Sequence, residues 1–203
     1  MTKTTYDKAK EIRRMFRSRM DGTVAQNMRE KGMEYHVNWG VTISHLQELA
    51  AEYGKDLHVA LELWKDNVRE SKIMALMIMP VEECTPDIAH VWIDTMGTQE
   101  IAEMASMLLF QHLPYAPAMA YGLLAQGGDL KQILGYNILS RLVARGEIPD
   151  ARGLDELIDQ IKISMKTDNV AVRHAAYNCF MKLNGCDKLA ESPFWHALCQ
   201  GIE

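Results

Sequence analysis

Residues 57–79 read Leu-His-Val-Ala-Leu-Glu-Leu-Trp-Lys-Asp-Asn-Val-Arg-Glu-Ser-Lys-Ile-Met-Ala-Leu-Met-Ile-Met, and this stretch constrains the fold more than any other. Its apolar residues recur at helical spacing in two blocks. Leu57, Ala60, Leu61 and Trp64 share one face of the first block. Val68, Ile73, Leu76, Met77 and Met79 fall largely on one face of the second. Only the polar break Lys65-Asp66-Asn67 separates them. Two amphipathic helices joined so tightly must fold back on each other. Such a hairpin is the unit of an α-solenoid, in which each pair buries its apolar surface against its neighbours.

The rest of the chain carries similar punctuation. Alternating β-branched runs and Asn-Gly or Asp-Gly turns are nearly absent. Residues 4–20 predict a basic amphipathic helix with Ala9, Ile12, Phe16 and Met20 inward, followed by a short helix over 22–31. A loop then carries Tyr35, His36 and Trp39. Thr42 or Ser44 caps a helix running to Gly54. Pro80 stops the hairpin, and Thr85-Pro86 supplies an N-cap with proline at the first helical position. Helices are expected from there to Gly97, from Thr98 to His112, and from Pro117 to Gly127-Gly128. A further helix is capped by Asp129, another opens at Asp150 or Gly153, and the next is capped by Asp168. The last covers 187–200, with an interruption at Pro193. The expectation is an all-α superhelix of about twelve helices in six HEAT-like hairpins, forming a single domain over 1–203. Asp168-Asn-Val-Ala-Val-Arg-His-Ala-Ala-Tyr reads like the second helix of such a repeat, with small Ala175 and Ala176 allowing close approach.

Charge is unevenly spread. Residues 1–33 hold nine Lys/Arg and four acids, so a segment of +5 stands on a remainder of −10. A basic end on an acidic body steers toward polyanions. No apolar run reaches the length that spans a bilayer, and no signal-peptide core is present. A cytoplasmic protein with no membrane partner is expected. Cys84, Cys179, Cys186 and Cys199 lack paired spacing and read as reduced thiols. A zinc site from Cys179, Cys186, His196 and Cys199 is conceivable, but the spacing favours no metal. The fourteen methionines read as adaptable core filler.

Several segments in order, Val24-Ala-Gln-Asn-Met-Arg-Glu, Trp39-Gly40-Val41, Glu62-Leu63-Trp64 and Val68-Arg69-Glu70, give the chain a family likeness. From about Met20 onward it resembles the AlkD-like DNA alkylation-repair family, the HEAT-like repeat DNA glycosylases. The resemblance implies hydrolysis of the N-glycosidic bond of cationic alkylpurines in duplex DNA, with no cofactor. Such chemistry needs a carboxylate to stabilise an oxocarbenium-like sugar, aromatic rings beside the cationic base, and basic residues for phosphates.

Carried over residue by residue, the resemblance places the catalytic carboxylate on Glu103 and the preceding aromatic position on Gln99. The family's arginine falls on Ile133, with Lys131 nearby, and its tyrosine on or near Asn27. Basic residues expected along a concave, DNA-facing lining are Arg69, Lys72, Lys131, Arg141, Arg145, Arg173 and Lys182. Glutamate is one methylene longer than aspartate, and a misplacement of about 1 Å costs on the order of a hundredfold in rate. The substitutions therefore argue against efficient base excision. Two readings follow: a glycosylase-like protein that engages duplex DNA, or a non-catalytic helical-repeat scaffold that binds a protein or peptide, with Trp39 or Tyr136 exposed. No phosphate-loop, dinucleotide, serine-hydrolase or zinc-protease motif offers a third.

Overall fold

A computed structural model describes residues 4–190 and 192–199. Lys3 of the basic segment, and Glu191 and Gln200 of the last expected helix, lie outside them. The described residues form thirteen α-helices and two short 3-10 turns, with no strand; the one isolated β-bridge joins Val37 and Val68. The chain divides into two compact units, Met1–Leu109 and Phe110–Glu203.

The first unit contains α1 (Thr5–Ser18), α2 (Gly22–Glu30), α3 (Ile43–Tyr53), α4 (Leu57–Trp64), α5 (Arg69–Ile78), α6 (Pro86–Thr95) and α7 (Gln99–Leu108). The expected hairpin is α4 and α5. Helix α5 packs against α3, α4 and α7, so it is buried nearly all round. That burial explains the unbroken apolar run Ile73–Met79, since a helix at the centre of a layer needs no polar face. A capping box at Thr4 and Asp7 starts α1, and Ala9, Ile12 and Phe16 are fully buried. Each of the last two side chains contributes about 1.5–3 kcal/mol by leaving water. Met20 is not inward as expected but 62% exposed. Helix α1 ends at Ser18 with Arg19 as its C-cap, so the helical period no longer governs position 20.

The caps at Thr42, Thr85 and Asp150 are observed, each side chain accepting a backbone N–H. Gly40 has φ +70°, and its missing Cβ makes room for the Asp21 carbonyl. That close approach lets Asp21 N–H donate to the Trp39 carbonyl at 2.9 Å and ties the loop before α3 to the start of α2.

The second unit contains α8 (Ala116–Gln126), α9 (Asp129–Ala144), α10 (Ala151–Ser164), α11 (Val170–Asn184), α12 (Asp187–Ala190) and α13 (Pro193–Cys199). Helix α9 lies between α8 and α11, and α11 also packs on α10. Three expected boundaries move. The helix begun after Thr98 stops at Leu108, and Phe110–His112 forms a 3-10 turn. Gly128, not Asp129, is the N-cap of α9; Asp129 sits in the first turn and accepts from Asn169 at 2.7 Å. Asn169, not Asp168, caps α11, because its side chain reaches the N–H groups of Ala171 and Val172. Pro193 does split the terminal helix. Among the described residues no three His, Cys, Asp or Glu side chains group as a metal site. No helix of the described residues is long and apolar enough to cross a membrane.

Candidate functional site

In the first unit, the chain leaving α2 and the start of α7 enclose an open pocket of about 700 Å³. One wall is Lys31, Gly32, Met33, Glu34 and Tyr35; the other is Gly97 through Glu100 with Glu103 and Met104. Helix α7 begins here because the Thr98 hydroxyl caps the Ile101 N–H. Helical spacing then brings Gln99 and Glu103 to one face, where the Gln99 amide donates to the Glu103 carboxylate at 2.8 Å. Both expected catalytic positions thus share this pocket. Glu103 is half-buried and Gln99 exposed.

Beneath the pocket lies a buried polar network that the sequence did not announce. Arg69, at the start of α5, is 4% exposed. Its guanidinium grips Glu100 with both edges, Nε at 2.9 Å from Oε2 and Nη2 at 2.7 Å from Oε1. Its Nη1 donates to the Val41 carbonyl at 3.0 Å and lies 3.4 Å from Glu70. Glu70, fully buried, accepts the backbone N–H groups of Trp39 at 3.1 Å and Val41 at 3.2 Å. The Tyr35 hydroxyl donates to Glu100 and receives the Thr98 hydroxyl at 3.1 Å. Burial lowers the tendency of Arg69 to stay charged, but Glu100 and Glu70 outweigh it, and its pKa is raised. Burial first, then the Glu100 carboxylate, push the Tyr35 phenol well above its ordinary value. The network fixes the 35–41 loop to α5 and α7, so the pocket wall is held in place before any ligand arrives.

Arg69 is therefore not offered to a phosphate: its donors face protein acceptors in the interior. Lys72 is half-buried, with Nζ 4.2 Å from the Trp64 ring centre and 2.9 Å from the Thr95 carbonyl. The Trp64 ring stacks on Trp92 with centroids 4.2 Å apart, and its indole N–H donates to the Thr95 hydroxyl. Burial lowers the Lys72 pKa despite Asp66 nearby. Lys72 also lines a second pocket of about 410 Å³ that shares Glu34, Tyr35, Gly97 and Thr98 with the first.

The other expected basic residues lie in the second unit. Lys131 donates to Gln126 at 3.0 Å. Arg141 is half-buried on α9. Arg145 holds the Gln111 carbonyl at 2.7 Å and Glu147 at 2.8 Å. Arg173 donates to the Thr167 carbonyl at 2.6 Å, and Lys182 is exposed on α11. Ile133 is buried, and Tyr136 is buried with its hydroxyl 2.7 Å from Ser164, so Tyr136 is no exposed docking residue. Asn27 is exposed on α2, and the tyrosine at the pocket is Tyr35. The signal for it was available: Tyr35 lies in the short loop that the sequence set between two capped helices.

The family model described as DNA alkylation repair enzyme matches residues 9–118. A solved structure matches with a TM-score of 0.79 over 87% of this chain and 76% of its own, at 13% identity. It is described as a new family of proteins related to the HEAT-like repeat DNA glycosylases with affinity for branched DNA structures. That likeness shows the fold, a HEAT-like helical repeat. No curated protein matches.

Proposed function

The chain belongs to the DNA alkylation repair family, and on that premise we propose that it engages DNA without efficient excision of alkylated purines. The observation that carries the reading is the state of the two carboxylates at the pocket. Glu100 is occupied by Arg69 and Tyr35, and Glu103 is hydrogen-bonded to Gln99, where the family likeness would place an aromatic ring. A carboxylate that stabilises an oxocarbenium-like sugar works by being poised at the reacting carbon. A Gln–Glu pair instead presents donors and acceptors suited to hydrogen-bonding a base or sugar edge. The affinity of the structurally similar family for branched DNA supports a DNA ligand of that kind.

The test pairs two assays on the same protein: binding to duplex and branched DNA across a salt series, and release of methylated purines from alkylated duplex. Salt-dependent binding with release no greater than in a protein-free control is expected, unchanged by Glu103→Gln. Release that Glu103→Gln abolishes would overturn the non-excising part and make Glu103 the catalytic carboxylate. Absence of salt-dependent binding would remove DNA as the ligand.

A second reading, a scaffold for a protein or peptide, has one specific observation in its favour. Val170, Tyr177 and Met181 recur along α11 and are 67%, 45% and 46% exposed. Saturable peptide binding lost on Tyr177→Ser, with no DNA binding, is the result that would select it.

A further inference from the structure

Helix α1 and its C-cap carry six Lys/Arg, Lys8, Lys10, Arg13, Arg14, Arg17 and Arg19, and the fold sorts them into two sets. The cations on its flanks and at its end are neutralised. Lys8 meets Asp56 at 2.7 Å, Arg13 meets Asp66 at 2.7 Å, and Arg19 lies 3.8 Å from Glu48. These pairs tie α1 to the neighbouring helices α3 and α4 and their caps. The cations on the crest, Lys10, Arg14 and Arg17, are exposed, and no carboxylate pairs with them among the described residues. They stand at i, i+4 and i+7, one stripe about 10 Å long. Tyr6, one turn earlier and 60% exposed, extends the stripe with an aromatic ring. The guanidinium of Arg17 sits 5.3 Å over the half-buried Trp39 ring, which holds it in one orientation. The lone acid on this arc, Asp7, is engaged in the capping box with Thr4.

We propose that the crest of α1, Lys10, Arg14 and Arg17, is a phosphate-binding surface for the DNA backbone. The proposal rests on the DNA-binding reading above and replaces one of the two phosphate contacts expected in the first unit, the buried Arg69. Charge complementarity selects the occupant: three exposed cations with no carboxylate partner among the described residues stand together on a chain of net charge −5, which concentrates attraction to a polyanion on this helix. A lipid surface fits less well. A basic helix lying on a membrane inserts its apolar face, and here Ala9, Ile12 and Phe16 are fully buried in the protein. The stripe is sequence-blind, because guanidinium and ammonium groups on phosphates position the nucleic acid rather than read it.

The experiment compares three full-length proteins by the salt dependence of binding to a branched and a plain duplex: the wild type, a K10Q/R14Q/R17Q triple variant, and a charge-matched R152Q/K166Q/K188Q control altered on exposed residues of the second unit. Far-ultraviolet dichroism verifies that each is folded. Three lost phosphate contacts lower the slope of log affinity on log salt by about 2.7. Between 50 and 200 mM salt the wild type then loses about 40-fold more affinity than the triple variant. The control keeps the wild-type slope. Wild-type binding with an unchanged slope in the triple variant would overturn the α1 surface while leaving DNA binding intact. An equal fall in slope for the control would also overturn it, since net charge alone would then explain the effect. Wild type that binds neither DNA, or that polyglutamate displaces as readily as DNA does, would overturn the DNA reading and this proposal together.

Discussion

Replacing Arg69 with Met tests whether the network under the pocket is structural. The substitution keeps the volume of the aliphatic stem and removes the guanidinium. It leaves Glu70, fully buried, and Glu100, whose side chain is 16% exposed, without their shared cation. Removing one partner of a buried ion pair costs about 3–5 kcal/mol, because the remaining charge stays in low dielectric. Here the remnants are partly compensated. Glu70 retains two backbone N–H donors and Glu100 retains the Tyr35 hydroxyl, so the low end, about 3 kcal/mol, is expected. For a chain of this length that lowers Tm by about 6–12 °C. Urea denaturation followed by far-ultraviolet dichroism measures the loss. The double variant Arg69→Met/Glu100→Gln should recover at least about 1 kcal/mol of it, since neutralising Glu100 removes one of the stranded charges. A loss under about 1 kcal/mol, or strict additivity of the two substitutions, would refute the reasoning and place the pair with ordinary solvated ion pairs.

Gly40→Ala should cost about 3 kcal/mol or more by urea denaturation: the residue has φ +70°, and a Cβ would meet the Asp21 carbonyl oxygen at 2.1 Å. The Lys8–Asp56 pair should give an acid-side loss of stability. Burial raises the Asp56 carboxyl, but the Lys8 ammonium and the Val59 N–H outweigh it and hold its pKa below the ordinary value. A depressed folded value stabilises above the unfolded pKa, so the contribution is present at neutral pH and is lost as pH falls below about 4. Asp56→Asn should remove that part of the pH dependence and cost about 1 kcal/mol or less at pH 7, visible as a flatter Tm profile between acid and neutral pH.

Much of the fold was legible because it depends on short-range rules. Thr85-Pro86 and Asp150 announce their helices through hydrogen bonds that reach only three residues, and the 57–79 periodicity needs no knowledge of partners. Asp129 and Asp168 were misjudged as caps because two neighbouring candidates compete, and the backbone geometry, not the residue type, decides between Gly128 and Asp129 or between Asp168 and Asn169. The pairing of Gln99 with Glu103 follows from helical spacing. The Arg69 network does not: Glu100 lies 31 residues from Arg69 and 65 from Tyr35, and periodicity cannot say which charges meet across helices. One clue was present. A helix apolar on every side, as α5 is after Lys72, must bury its polar first turn as well, and Arg69-Glu70-Ser71 then require partners inside the protein.

The cofacial Trp64 and Trp92 rings, 4.2 Å apart and inclined by only 5°, also give this protein an optical signature. Two indoles at that separation couple their electronic transitions, so the dichroism of the first unit reports a geometry and not merely the presence of helix. The second unit holds a single indole, Trp195, buried beside Phe180. The stacked indole pair thus lies in one unit and a lone indole in the other, so a melting experiment followed by near-ultraviolet dichroism is expected to report the loosening of the first unit through that pair without any added label.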